Sequence, residues 1–263
     1  MEKRLAILNA IYDQCDEQDR LTKKRKGQLE YLTTMHFIHQ YAQDHASILE
    51  VGAGTGRYSI ALAKEGYCIT AVELVAHNLD ILRSNSQDLT NLSTYQGDAL
   101  DLSRFADNTF DMTLVLGPMY HLFAAKDHHR ALDEAIRVTR PGGVILVAFL
   151  SIYGIMFTNY LKDNFRAGLA ENYTADYAVR HFEEQGFTAF DIADFEALFE
   201  GKPVAQLATV SADSVLQIAE GRSDFSLSDD EFAAFAAYHL AMCGKRELLG
   251  SSNHLLYICR KNA

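Results

Sequence analysis

Cysteine, proline and positive charge are all scarce in this 263-residue sequence, and no long apolar run interrupts it. The four cysteines, Cys15, Cys68, Cys243 and Cys259, include no CxxC pair. That disfavours a zinc site and suits a reducing compartment. Cys68 and Cys259 fall in apolar, strand-like runs and are expected to be small buried hydrophobes. The three prolines, Pro118, Pro141 and Pro203, each mark a loop or an element boundary. Twenty-four basic residues against 35 acidic ones give a net charge of -11. Phosphate neutralisation dominates nucleic-acid affinity, so this balance argues against DNA or RNA as a partner. The longest apolar stretch, 143–150, is far too short to span a bilayer. Residues 1–20 are polar and lack the apolar centre of a signal peptide. The expectation is a soluble, cytoplasmic protein with no membrane partner.

What is present is a hydrophobic fraction of 48%, ample for a sizeable core. Residues 2–15 and 27–44 carry apolar side chains at roughly helical spacing. The period then changes. Strand-like runs at 47–52, 68–72, 92–95, 110–116 and 144–149 alternate with helical ones at 57–65, 77–86 and 126–138. Gly66 is placed to close the first of these helices. Residues 140–143 read as a turn. Residues 187–192 read as a sixth strand and 254–259 as a last one. Between these two lie helical stretches, with Ser228 preceding a helix over 229–242. Alternation of this kind predicts parallel βαβ units and a doubly wound α/β sheet. The chain divides as a helical N-terminal cap (1–44), a core (45–150) and a remainder with a helical insertion (151–263). Ligands of such sheets lie beyond the carboxyl ends of the strands.

The first strand runs into Glu50-Val51-Gly52-Ala53-Gly54-Thr55-Gly56. Glycines allow positive φ and a close approach of backbone to ligand, and the next helix presents free N–H groups. A dinucleotide loop wants a third small residue. Counted from Gly52 and Gly54, that place holds Arg57; counted from Gly54 and Gly56, it holds Ser59, which is tolerable but not ideal. Glu50 is also awkward beside a pyrophosphate and suits a ligand with a positive end. Glu73 ends the second strand, 19 residues after Gly54, where a carboxylate can accept both ribose hydroxyls. Gly97-Asp98-Ala99 follows the third strand, where Asp98 can accept from an adenine amino group and the Ala99 N–H can serve a ring nitrogen.

Taken in order, Glu50-x-Gly52-x-Gly54-x-Gly56, Glu73, Gly97-Asp98-Ala99, Asp107-Asn108-x-Phe110-Asp111 and Arg140-Pro141-Gly142-Gly143 resemble the successive motifs of class I S-adenosylmethionine methyltransferases. The resemblance covers about residues 45–150. It implies a Rossmann-like, mostly parallel seven-stranded sheet whose last strand, 254–259, is antiparallel. It implies S-adenosyl-L-methionine as cofactor. Glu50 and the loop Gly52, Ala53, Gly54, Gly56 and Arg57 would hold its methionine end. Glu73 and Leu74 would hold its ribose, and Asp98 and Ala99 its adenine. Leu116 and Gly117 would border it. Helices before the core close over the cofactor in similar enzymes, which brings in Tyr12 and, toward the methionine carboxylate, Arg20.

The acceptor side begins at Leu116-Gly117-Pro118-Met119-Tyr120-His121-Leu122. Amino methyltransferases acting on bases carry Asn/Asp-Pro-Pro-Tyr here. Gly117 lacks the side chain that accepts from the target amine. The Gly-Pro-x-Tyr-His-Leu version resembles that of a subgroup of small bacterial-type methyltransferases. Tyr120 and His121 are the candidate catalytic residues. His121 is either a base titrating near neutrality or a histidine that caps or packs beneath the next helix. The run Lys23-Lys24-Arg25-Lys26, beside Arg20, is either a solvated helix end or a rim that attracts an anionic substrate. A small-molecule acceptor is expected, with homodimerisation left open. The alternatives are an NAD-type oxidoreductase and a non-catalytic S-adenosylmethionine-binding regulatory protein.

Overall fold

The computed structural model describes residues 2–12, 19–182 and 186–263. Two helices lead, α1 (Glu2–Tyr12) and α2 (Arg25–Tyr41). The expected extension of the first helix to residue 15 lies outside the described residues. Then come β1 (Ser47–Val51), α3 (Arg57–Lys64), β2 (Cys68–Glu73), α4 (Ala76–Asn85), β3 (Leu92–Gln96) and β4 (Phe110–Val115). After these follow α5 (Ala125–Val138), β5 (Thr139–Ser151) and α6 (Ile152–Ile155), which runs into a π turn at Met156–Tyr160. The remainder holds α7 (Phe165–Asn172), β6 (Ala189–Phe190), α8 (Ile192–Ala197), β7 (Val204–Ser211), α9 (Leu216–Ala219), α10 (Asp229–Met242), α11 (Arg246–Leu249) and β8 (His254–Lys261).

The strands form one sheet in the order β3-β2-β1-β4-β5-β8-β7, with β6 paired to the end of β5. β1 pairs parallel with β2 and β4, and β4 with β5, while β8 runs antiparallel to both β5 and β7. The chain therefore has the doubly wound α/β sheet read from its alternation. Among the described residues the sheet has eight strands rather than seven. The predicted sixth strand survives only as the two residues of β6. The strand that completes the main path is β7, in a stretch read as helical. It is an edge strand with outer residues exposed, so it shows little of the apolar alternation of a strand.

Two further readings are corrected. Residues 140–143 are not a free turn but a bulged entry into β5: Phe110 pairs with Thr139 and Met112 with Val144, so the longer strand bows out. Cys68 is exposed at the start of β2, not buried, whereas Cys259 is buried as expected.

Period-two alternation splits the core between the two faces of the sheet. Leu49, Val51, Val115, Val147 and Phe149 pack against α5 and α8, with Phe149 stacked 3.8 Å from Phe195. Ile48, Met112, Leu114, Leu146 and Ile258 pack against α2 and α3. Gly66, at φ +97°, ends α3 as expected. Ser228 Oγ accepts from the Glu231 N–H at 3.3 Å and starts α10 as a cap. This arrangement brings the carboxyl ends of β1, β2, β3, β4, β5 and β7 and the amino end of β8 to one edge.

Candidate active site

At that edge, the turn after β1 is tied to β2. The Gly52 and Ala53 N–H groups both donate to the Val72 carbonyl, at 2.8 and 3.1 Å. Gly52 sits at φ +78°, and a Cβ there would lie 2.6 Å from Pro118 Cδ, so the β1 and β4 loops touch where only glycine fits. Glu73 is 5% exposed and spans two loops. Its Oε2 accepts from Gly54 N at 2.7 Å and its Oε1 from Val75 N at 2.8 Å. Asp98 Oδ1 accepts from Leu100 N at 3.1 Å, and Oδ2 pairs with Arg4 Nη2 of α1.

Arg4, Leu8 and Tyr12 of α1 roof a narrow slot of about 60 Å³ above Gly52, Glu73, Asp98 and Ala99. A second, much larger chamber of about 700 Å³ lies beside it. Tyr12 and Gly117 line both, so the two cavities meet at that pair.

His121 borders the slot and holds the partition. Its Nδ1 lies 2.9 Å from the Gly186 carbonyl, which can only accept, so that nitrogen carries the proton. Nε2 then accepts from the Tyr12 hydroxyl at 3.0 Å. Burial pushes the imidazole down to about 4, so it is neutral at physiological pH. Tyr120 lines the chamber, and burial raises its phenol well above the ordinary range.

The floor of the chamber carries a charged cluster. Asp213 is buried at 1% exposure. Its Oδ1 accepts from Ser252 Oγ at 2.5 Å and Asn253 N at 2.9 Å, and its Oδ2 lies 2.7 Å from His254 Nδ1. Glu30 Oε2 is 3.7 Å from the same nitrogen and accepts from Arg20 Nη1 at 2.7 Å. Burial would lower the His254 pKa, but Glu30 and Asp213 outweigh it and raise the group.

Residues 48–143 match the family model of the methyltransferase domain. This stretch is a methyltransferase domain. Among curated relatives, it is similar to an uncharacterised protein of Mycobacterium tuberculosis, 33% identical over 37% of this chain and 35% of that one. A demethylmenaquinone methyltransferase of Paenarthrobacter aurescens is 30% identical over 43% of this chain and 44% of its own. The chain thus spans less than half the length of these relatives. Its fold is similar to that of phosphoethanolamine N-methyltransferase 1 from Haemonchus contortus, solved with phosphoethanolamine and S-adenosylhomocysteine. That match has a TM-score of 0.63 and 13% identity and covers 99% of this chain and 49% of that one.

The fold brings together most of the residues read from the sequence. Gly52, Glu73, Leu74, Asp98, Ala99, Gly117, His121 and Tyr12 all border the slot. Leu116, Gly117, Tyr120, Tyr12 and Arg20 border the chamber. Gly54 donates to Glu73, and Gly56 begins α3 at φ +90°. Ala53 packs behind the loop with Ala71, Leu79 and Leu82.

Three residues lie elsewhere. Arg20 is held by Glu30 in the chamber, because the turn before α2 carries it there. Arg57 is exposed and stacks 4.6 Å over the Tyr31 ring. Glu50 is 2% exposed beneath the loop and accepts from Ser59 Oγ. Sequence reasoning missed Arg4, Asp213 and His254. No local signal marks them, since Arg4 meets Asp98 across 94 residues and Asp213 meets His254 across 41.

The Arg4 contact has a consequence for cofactor entry. Its guanidinium already donates to Asp98, the carboxylate read from the sequence as the acceptor for an adenine amino group. Arg4→Ala should bind S-adenosylhomocysteine tighter by about 3- to 30-fold, since a partly buried charged hydrogen bond no longer competes. Isothermal titration of both proteins checks this. Weaker binding by the variant would show that Arg4 holds the ligand rather than its place.

Proposed function

We propose that this chain transfers a methyl group from S-adenosylmethionine to a small-molecule acceptor seated in the chamber. The observation that carries this reading is the meeting of slot and chamber at Tyr12 and Gly117. A methyl donor and an acceptor need adjoining sites with little between them, and Gly117 contributes no side chain to the partition.

The donor set of the slot fits the cofactor. Both Glu73 oxygens accept from backbone N–H groups at the slot, and a carboxylate, an acceptor with about four lone-pair sites, suits the two ribose hydroxyls. Asp98 already accepts an N–H donor from Arg4 and can accept one from the adenine amine, and the Ala99 N–H would serve a ring nitrogen. Leu8 and Leu74 supply apolar surface for the base. Gly52 and Gly54 form the cradle for the methionine end, with Glu50 buried behind it. When bound, the cofactor supplies an electrophilic methyl group on a sulfonium centre. His121 keeps the Tyr12 hydroxyl at the partition, and Tyr120 walls the acceptor side. Arg57, at the third glycine position, and the net charge of -11 both support this reading over a dinucleotide or a nucleic acid.

Calorimetric titration of the chain with S-adenosylmethionine, S-adenosylhomocysteine and NAD tests it. The first two should bind and NAD should not. Binding of NAD alone would overturn the reading in favour of an oxidoreductase.

A further inference from the structure

Resting on that reading, we propose that the chamber accepts an aromatic hydroxy compound carrying an anionic group, with its hydroxyl at His254 and its anion at Lys24 and Lys26.

The volume, about 700 Å³, lies within the range of small-ligand sites. Its walls include Leu116, Leu150, Ile155, Tyr120, Tyr160 and Phe187, which suit a flat apolar ring. Two polar ends line the same chamber.

One end is the pair Asp213–His254. β7 and β8 are antiparallel, so the end of one and the start of the other meet at the edge of the sheet where the slot opens. Asp213 accepts a hydrogen bond from Nδ1–H, which fixes the tautomer and leaves Nε2 as the basic nitrogen. The side chain is 18% exposed and lines the chamber, and no described residue bonds Nε2. His121 differs, with both ring nitrogens engaged. An acceptor O–H at His254 would pass its proton to Nε2. The resulting imidazolium keeps Nδ1–H on the Asp213 carboxylate, and the acceptor is left as an oxyanion. Asp213 is a positioning residue in this scheme.

The other end is the basic run. Arg20 is committed to Glu30 and Arg25 to Asp229. Lys24 and Lys26 line the chamber, and no carboxylate of the described residues lies within ion-pair distance of either ammonium. Lys26 is half-buried. The groups that act on it electrostatically are Lys24, Asp213, Glu220 and Glu30. Burial and Lys24 together lower its pKa, so an anion arriving there relieves a cost already present.

The test uses 4-hydroxy-3-nitrobenzoate, whose hydroxyl is acidic and whose ionisation is visible, against 2-nitrophenol, which lacks the carboxylate. Both are titrated with and without saturating S-adenosylhomocysteine. The carboxylate probe should bind about ten-fold tighter and develop phenolate absorbance at a pH where the free probe is protonated. Lys24→Met/Lys26→Met should erase the affinity difference and spare the absorbance change. His254→Asn keeps a donor toward Asp213 but removes Nε2, and should erase the absorbance change with affinity largely kept. Circular dichroism verifies the fold of each variant. Equal binding of the two probes, no binding of either, or unchanged behaviour in the variants overturns the proposal. Failure of S-adenosylhomocysteine itself to bind counts against the methyltransferase reading instead, and the titrations without it still decide the chamber's ligand.

Discussion

Replacing Glu73 with alanine is expected to weaken S-adenosylhomocysteine binding by about 1–3 kcal/mol, roughly 5- to 150-fold. The loss has two sources. A carboxylate proposed to accept ribose hydroxyls is gone. The Gly54 and Val75 N–H groups, which it holds at 2.7 and 2.8 Å, also lose their acceptor, so the loop that cradles the ligand loosens. Glu73→Gln should rescue little. One end of the amide is a donor, and both oxygens of Glu73 face donors. Calorimetric titration gives the affinity, and thermal unfolding of the free protein shows how much of the loss is loop organisation. Unchanged affinity in both variants would remove Glu73 from the site.

The second large effect concerns Glu50. It lies in the middle of the sheet, paired with Ala71 on one side and Leu114 on the other. Burial raises its carboxyl from 4.5 to about 8, with Ser59 opposing and Glu73 adding to the rise. The native state therefore holds a proton that the unfolded chain has released. The stability linked to it is present below pH 4.5 and lost as pH rises through about 8. Wild-type protein should lose on the order of 3–5 kcal/mol between those limits from this group. Glu50→Gln, which cannot ionise, should lose none of it. Urea unfolding at pH 5 and pH 8 measures both. Parallel pH dependence in the two proteins would show that Glu50 is ionised in the fold. The same proton reports on function. If an ammonium of the bound cofactor ionises Glu50, S-adenosylhomocysteine binding releases a proton near neutrality, seen as a buffer-dependent enthalpy. A purely structural acid releases none.

Glu50 also shows how far residue order carries a reading. Its place in the motif was evident, but its burial was not, because whether an acid near a strand's end faces ligand or interior depends on the helix packed above it. Arg20 is a parallel case. Its charge suggested a carboxylate partner, and the fold supplies Glu30 rather than a ligand.

By itself the sequence determined the parallel half of the sheet and the slot's floor. β1, β2, β3 and β4 each announce themselves through local alternation, and Gly52, Glu73 and Asp98 sit at their ends. Backbone periodicity and strand-end chemistry are short-range properties, so they survive in a linear string. Tertiary structure alone decided the rest. β7 is an edge strand with three of its eight residues exposed in a row, so its pattern is too weak to separate from a helix. Arg4 on Asp98 and Asp213 on His254 are pairs made by folding distant segments onto one edge. Residues that meet only there leave no spacing to read, because nothing in the chain between them constrains their contact.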